Sequence, residues 1–288
     1  MEIPMELTHI RTIRGLMSRY DIRFTGSLGQ NFITNPSVCP RMVKESGITP
    51  DSCVLEIGAG VGVLTRELAK AAAKVVCVEL DKGLFPLLGE TLGDFDNIKL
   101  VHGDVLKLDL RGLFEAEFSG RDVVVCANLP YYITSPVIMR LLEERLPIRS
   151  ITVMVQREAA ARICAMLPSR EAGAISAAVQ YYCEPQILFA VSRGSFMPAP
   201  KVDSSVIRLD LRGEPPVAVY DEALLFRVIR AAFSQRRKIL PNCLASGLGV
   251  HKAVIFPVLL AAGVPANARA EQLTLDDFAR IADSLPAI

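Results

Sequence analysis

The tetrad Asn128-Leu129-Pro130-Tyr131 follows an apolar run, Val123-Val124-Val125-Cys126-Ala127, and puts a carboxamide where a buried strand ends. These residue types suit the activation of an amino group on a planar ring. Such a nitrogen is a poor nucleophile, because its lone pair is delocalised into the ring. A carboxamide oxygen and a neighbouring backbone carbonyl can each accept one of its N–H bonds and bias it toward a tetrahedral, reactive geometry. Pro130 stiffens the turn, and Tyr131 offers a face on which a base can stack. The competing reading is an ordinary turn with Tyr131 as a core aromatic, so the decision falls to the surrounding elements.

Those elements alternate between strand-like and helix-like segments, which predicts an α/β fold built on a parallel sheet. Residues 54–57, 75–79, 98–102, 123–127 and 151–155 read as strands, with 187–191 and 206–211 completing seven and the last pair antiparallel. Residues 64–73 and 158–166 read as helices between them. Gly213-Glu214-Pro215-Pro216 is a linker signal, after which 221–233, 253–262 and 275–284 read as helices without strands. The chain is therefore expected to divide into a sheet domain, 1–212, with an N-terminal arm, and a small all-helical domain, 213–288.

Ligands of open α/β sheets collect at the carboxyl ends of strands. Four polar markers fall at such ends: the Gly58-x-Gly60-x-Gly62 turn, Glu79, Asp104 and Asn128. Gly58 and Gly60 allow close approach of backbone to ligand. Glu79 is placed to hold two ribose hydroxyls, and Asp104 either accepts from an adenine amine or caps a helix. A dinucleotide-binding fingerprint needs a third glycine at position 63, which is Val63. A turn preceded by Glu56 and lacking that glycine suits S-adenosylmethionine, which carries no pyrophosphate.

Composition narrows the class further. Hydrophobic residues make up 51% of 288 and charged residues 22%, enough for a sizeable core. No apolar signal segment opens the chain, and the longest apolar stretch, 253–264, is too short to span a membrane and contains Pro257. Seven cysteines without a C-x-x-C pair read as buried free thiols in a reducing cytoplasm, and three dispersed histidines predict no metal cluster. Net charge is only +1, yet residues 223–270 contain no carboxylate and seven cations: Arg227, Arg230, Arg236, Arg237, Lys238, Lys252 and Arg269. That asymmetry is the footprint of contact with a phosphate backbone; a solvated helix face fits it equally well.

Taken together, these residues resemble the small-subunit ribosomal RNA adenine N6,N6-dimethyltransferases, the KsgA family. The likeness runs through Leu28-Gly29-Gln30-Asn31-Phe32-Ile33, residues 56–62, Glu79, Gly103-Asp104 and residues 128–131. It continues through Met154-Val155-Gln156-Arg157-Glu158, Gly173-Ala174-Ile175-Ser176, residues 196–205 and residues 233–240. The resemblance implies a Rossmann-like class I methyltransferase sheet and S-adenosyl-L-methionine bound by Asn31, Ile33, Gly58, Gly60, Glu79, Asp104 and Asn128. It further implies that the Leu129 carbonyl shares the N6 hydrogens with Asn128, that Pro130 shapes the turn, and that Tyr131 and Phe196 sandwich a flipped adenine. Arg236, Arg237 and Lys238 are the implied RNA contacts. The implied partner is a pair of adjacent adenosines in small-subunit rRNA, met by a cytoplasmic monomer within a partly assembled subunit, with no metal and no membrane. Phe196 also reads as a packing anchor, and Gln30 and Asn31 as caps of a turn.

Two positions depart from the family pattern: Phe24-Thr25-Gly26-Ser27 stands where many relatives carry lysines, and Asn35 where Asp is common. The neighbouring alternatives are a macrolide-resistance methyltransferase of large-subunit rRNA, a DNA or protein-glutamine methyltransferase with an N-P-P-Y-type site, and an assembly factor for which methylation is secondary.

Overall fold

The computed structural model describes residues 6–22 and 30–286. Leu28 and Gly29 of the N-terminal motif, and residues 24–27, lie outside the described residues. Seven strands form one sheet: β2 (Cys53–Ile57), β3 (Lys74–Glu79), β4 (Ile98–His102), β5 (Val123–Asn128), β6 (Ile148–Gln156), β7 (Cys183–Val191) and β9 (Ser204–Leu211). Their order is β4-β3-β2-β5-β6-β9-β7. Neighbours from β4 to β6 are parallel, and β9 runs antiparallel to β6. A short antiparallel pair, β1 (Phe32–Ile33) with β8 (Phe196–Met197), stands apart from the sheet. No periodicity announces two-residue strands.

Every residue of β2 is buried, and so are the first five of β5. Strands covered on both faces read as continuous apolar runs, which is why these were visible in the sequence. The strand order reverses between β2 and β5, so their carboxyl ends flank the switch point at which such sheets bind ligands. Helices α2 (Val38–Glu45), α3 (Val63–Ala71), α4 (Phe85–Leu92), α5 (Leu110–Phe118) and α6 (Thr134–Glu143) belong to this sheet unit. The N-terminal arm supplies α1 (Ile10–Arg19), whose buried Ile13, Leu16 and Met17 join Phe32, Val61, Leu87 and Met197 in one cluster. Tyr20 Oη donates to Glu90 (2.6 Å), which also pairs with Arg19.

The chain divides into two compact units, one of residues up to 160 with 186–211, the other of 161–185 with 212–288. Residues 161–185, assigned to the sheet domain on sequence, thus belong with the helices of the second unit. The reason lies in α8 (Ala174–Tyr182): Tyr181 and Tyr182 pack on Phe226 with ring centroids 5.3 and 5.2 Å apart, and Tyr182 Oη donates to Glu222 (2.6 Å). The remaining helices are α7 (Arg157–Ile163), which leads into this unit, then α9 (Glu222–Phe233), α10 (Leu240–Leu248), α11 (Lys252–Ala261) and α12 (Leu275–Ser284). Asp221 caps α9 by accepting from Leu224 N–H, and Thr274 with Asp277 forms a capping box on α12. Among the described residues, no helix is long and apolar enough to cross a membrane.

Helices α9 and α10 approach so closely that a Cβ at Gly247 would lie 2.5 Å from Ala231 Cβ and 2.7 Å from its Cα. Gly247→Ala is therefore expected to destabilise the helical unit by about 1–3 kcal/mol. Urea unfolding followed by circular dichroism tests this, and an unchanged midpoint would mean that the two helices separate without cost.

Candidate active site

Three strand ends, those of β2, β3 and β4, are held in register by the backbone itself. Gly58 N–H donates to the Val78 carbonyl (2.8 Å), and Gly103 N–H to the Glu79 carbonyl (3.0 Å). The loops after β2, β3, β4 and β5 consequently open into one cleft, lined by Asn31, Ile33, Gly58, Gly60, Glu79, Asp104, Asn128, Leu129, Pro130 and Tyr131 among others. Ten of the eleven residues expected in cofactor and catalytic roles meet there. Phe196 does not: it is 5% exposed and packs in the core with Ile33, Met154 and Val206, because β8 pairs Phe196 against Ile33 of β1. Its observed place is the packing anchor's, and the aromatics lining the cleft are Phe32, Tyr131 and Tyr132.

Glu79 is 7% exposed, and each carboxylate oxygen is engaged. Gly60 N–H donates to Oε2 (3.1 Å) and Asp81 N–H to Oε1 (2.8 Å). Burial pushes its carboxyl above the usual range, while the backbone donors at Asp81 and Gly60 pull it back. Gln30 reaches the same network through its side-chain amide, which donates to Asp81 Oδ2 (3.0 Å). Asp104 Oδ1 accepts from Leu106 N–H (2.9 Å), so this residue does cap its own turn, while Oδ2 lies 3.5 Å from Lys107 Nζ.

Asn128 Nδ2 donates to the backbone carbonyl of Asn31 (3.4 Å), which turns Oδ1 away as the free acceptor of the carboxamide. Tyr131 is half-buried, and its hydroxyl and Ser204 Oγ lie 2.8 Å apart, a hydrogen bond that either can donate. That bond fixes the ring without using its face. Tyr132, which the sequence reading passed over, also lines the cleft and is 57% exposed. Asn35 accepts from Ser37 N–H (3.0 Å) ahead of α2, as an Asp would, and also donates to Ser195 Oγ (3.3 Å).

These residues fit S-adenosylmethionine. Gly58 and Gly60 have φ of +82° and +57°, and a Cβ on Gly60 would lie 3.3 Å from the Phe32 ring, so the turn admits a ligand only as glycine. Carboxylate and carboxamide oxygens at Glu79, Asp104 and Asn128 suit hydroxyls, an amine and a cationic ligand. They oppose a pyrophosphate. Among the described residues, no group of three or more His, Cys, Asp or Glu side chains could hold a metal ion. Arg236, Arg237 and Lys238 lie in the other unit, exposed on the loop between α9 and α10.

Glu56 was read only as the residue preceding the glycine turn. It is wholly buried on β2, opposite Cys77 of β3, and neither carboxyl oxygen has a hydrogen bond of normal geometry. Burial drives its carboxyl up to about 8, against the weaker opposing pull of Thr65 and Cys77. It is thus a neutral acid at pH 7. Between 4.5 and about 8 the folded chain keeps a proton that the unfolded chain has released, so stability falls as pH rises through that window and levels off above it. Glu56→Gln removes the titrating group, and is expected to flatten this fall and to add up to about 5 kcal/mol above pH 8. Urea midpoints across the window decide it: a variant tracking the parent at every pH would show that Glu56 ionises freely.

The sequence of residues 22–286 matches the family described as Ribosomal RNA adenine dimethylase. Among curated relatives, the Ribosomal RNA small subunit methyltransferase A of Alkaliphilus oremlandii is 43% identical over 271 residues, 94% of each chain. That of Geobacillus thermodenitrificans is 45% identical over 274 residues, again 94% of each. Among solved structures, a dimethyladenosine transferase from Plasmodium falciparum matches with a TM-score of 0.71 and 25% identity, covering 87% of this chain and 95% of that one. The 23S rRNA methyltransferase ErmE matches with a TM-score of 0.65 and 26% identity, covering 88% and 99%. With a cleft built for S-adenosylmethionine at the switch point of its sheet and a family match across nearly its full length, this chain belongs to the ribosomal RNA adenine dimethylase family.

Proposed function

We propose that this enzyme methylates N6 of two adjacent adenosines in the 3′-terminal hairpin loop of small-subunit rRNA, giving N6,N6-dimethyladenosine during assembly of the subunit. The observation that carries the reading is the Asn128 carboxamide, oriented by the Asn31 carbonyl so that Oδ1 is its free acceptor. Relatives named for the small subunit at 43–45% identity favour that subunit over the large one on which ErmE is named to act. The reading implies a cytoplasmic enzyme, and a monomer that meets its substrate within a partly assembled subunit.

S-Adenosylmethionine, when bound, supplies the methyl group as an electrophilic sulfonium. Glu79 would hold its ribose, Asp104 its adenine amine, and the Gly58–Gly62 backbone would yield the space. Asn128 Oδ1 and the Leu129 carbonyl accept the two N6 hydrogens and so localise the nitrogen lone pair. Tyr131, tethered by Ser204, stacks the base after it leaves its RNA loop, at a cost of a few kcal/mol that a loop substrate reduces. The methylated nitrogen loses its proton only after the new N–C bond has formed, so the side chains act by position and polarisation without a dedicated base.

Asn128→Ala is expected to leave S-adenosylmethionine affinity within a few-fold of the parent and to cut methyl transfer about 100-fold or more. Calorimetry and transfer of labelled methyl to under-methylated small subunits, large subunits and naked rRNA, with nucleoside analysis, check both. Equal losses in binding and transfer would remove the catalytic role, and label confined to large-subunit RNA would overturn the choice of substrate.

A further inference from the structure

The helical unit contains a second concavity, lined by Ser169, Arg170, Asn267, Arg269, Glu271 and Gln272. Arg170 and Arg269 are both exposed, and among the described residues no ion pair takes up either guanidinium. The hydroxyl of Ser169 is buried there without a hydrogen-bond partner, an orphan group that calls for a ligand or ordered water. Gln272 Oε1 accepts from Arg269 N–H (2.8 Å) and fixes the backbone beneath that arginine.

Arg236 connects this concavity to the basic loop. Its guanidinium donates to the Arg170 carbonyl, which ties the start of that loop to the lining residues. Three arginines, Arg170, Arg236 and Arg269, thus meet from three separate stretches of sequence, with Glu271 as the carboxylate of the lining. Guanidinium forks, a carboxamide and a hydroxyl form a donor set matched to a tetrahedral oxyanion, and they offer little to an apolar ligand or a metal ion.

We infer that this concavity binds a phosphodiester of the RNA backbone, with Arg170 and Arg269 neutralising the charge and Ser169 donating to an oxygen. The exposed loop 236–238 extends the same track. Such contacts carry no sequence information; they set the register of the RNA on the helical unit. The inference deepens the proposed function, since it takes RNA as the source of the phosphate.

The test uses the full chain and an RNA fragment spanning the 3′-terminal hairpin of small-subunit rRNA, with binding measured across a potassium chloride series. Arg170→Gln and Arg269→Gln are each expected to weaken binding and to lower the slope of log affinity against log salt by about 0.7–0.9. Ser169→Ala is expected to weaken binding several-fold with the slope unchanged, separating the hydrogen bond from the charge. Circular dichroism melting confirms that each variant is folded. Inorganic phosphate should compete only weakly with the RNA; tight phosphate binding, with RNA affinity indifferent to both arginines, would identify a free-anion site and overturn the inference. An unchanged slope in the folded double variant, while the parent still dimethylates under-methylated small subunits, also overturns it and leaves the enzyme's function standing. A lowered slope with no dimethyladenosine formed by the parent on under-methylated small subunits supports the phosphate site and refutes the substrate instead.

Discussion

The buried carboxylate of Glu79 is the group on which the cleft depends. A charge removed from water must be met by donors or it neutralises, and here the donors are backbone N–H groups at Gly60 and Asp81. One side chain therefore clamps the glycine turn after β2 to the loop after β3. The clamp works only because the turn can adopt positive φ at Gly58 and Gly60. Gln30, bonded to Asp81, brings the N-terminal segment into the same network. The shape of the cofactor cleft follows from satisfying one acid.

A second constraint acts on the Asn128 amide. A carboxamide can rotate by a half-turn and exchange its donor and acceptor, and only one orientation serves an amino-group substrate. The Asn31 carbonyl can accept but cannot donate, so it selects the orientation in which Nδ2 faces it. That carbonyl immediately precedes β1, whose pairing with β8 holds it in place. Those two short strands, negligible as sheet, thus acquire a function as the mount of the Asn31 backbone.

Most of the sheet was legible because parallel strands buried on both faces leave uninterrupted apolar runs such as Val123-Val124-Val125-Cys126-Ala127. The site was legible wherever a polar residue terminated such a run, at Glu79 and Asn128. Helix α10 was missed because Pro241 and Gly247 lower its propensity; yet Pro241 sits in the first turn, where the lost N–H is harmless, and Gly247 serves the contact with Ala231. The division of the chain was misread at residues 161–185 because aromatic packing of Tyr181 and Tyr182 on Phe226 is a tertiary fact without a local signal. Of the two readings of Phe196, the packing contact is the one seen in the structure: strand pairing with Ile33 buries it, and a motif does not reveal which way a ring will turn. Glu56 was legible as a residue and not as a proton carrier, since its state depends on complete burial.

A net charge of +1 conceals a division of electrostatic labour. Among the described residues, the cleft wall presents Glu79 and Asp104 and no Lys or Arg. Such a surface attracts a cationic sulfonium ligand and repels phosphodiesters. An RNA substrate can then offer the cleft a base but not its backbone, so the affinity for phosphate has to be provided elsewhere in the chain. Residues 223–270, with seven cations and no carboxylate, meet that requirement. Under the proposed function, segregating the charges keeps the methyl donor's site free of competing nucleotide phosphates and leaves orientation of the extruded base to the uncharged Asn128 and Tyr131. The absence of a third glycine at Val63 follows the same logic, because a pyrophosphate-binding turn would draw into the cleft the very groups that its carboxylates exclude.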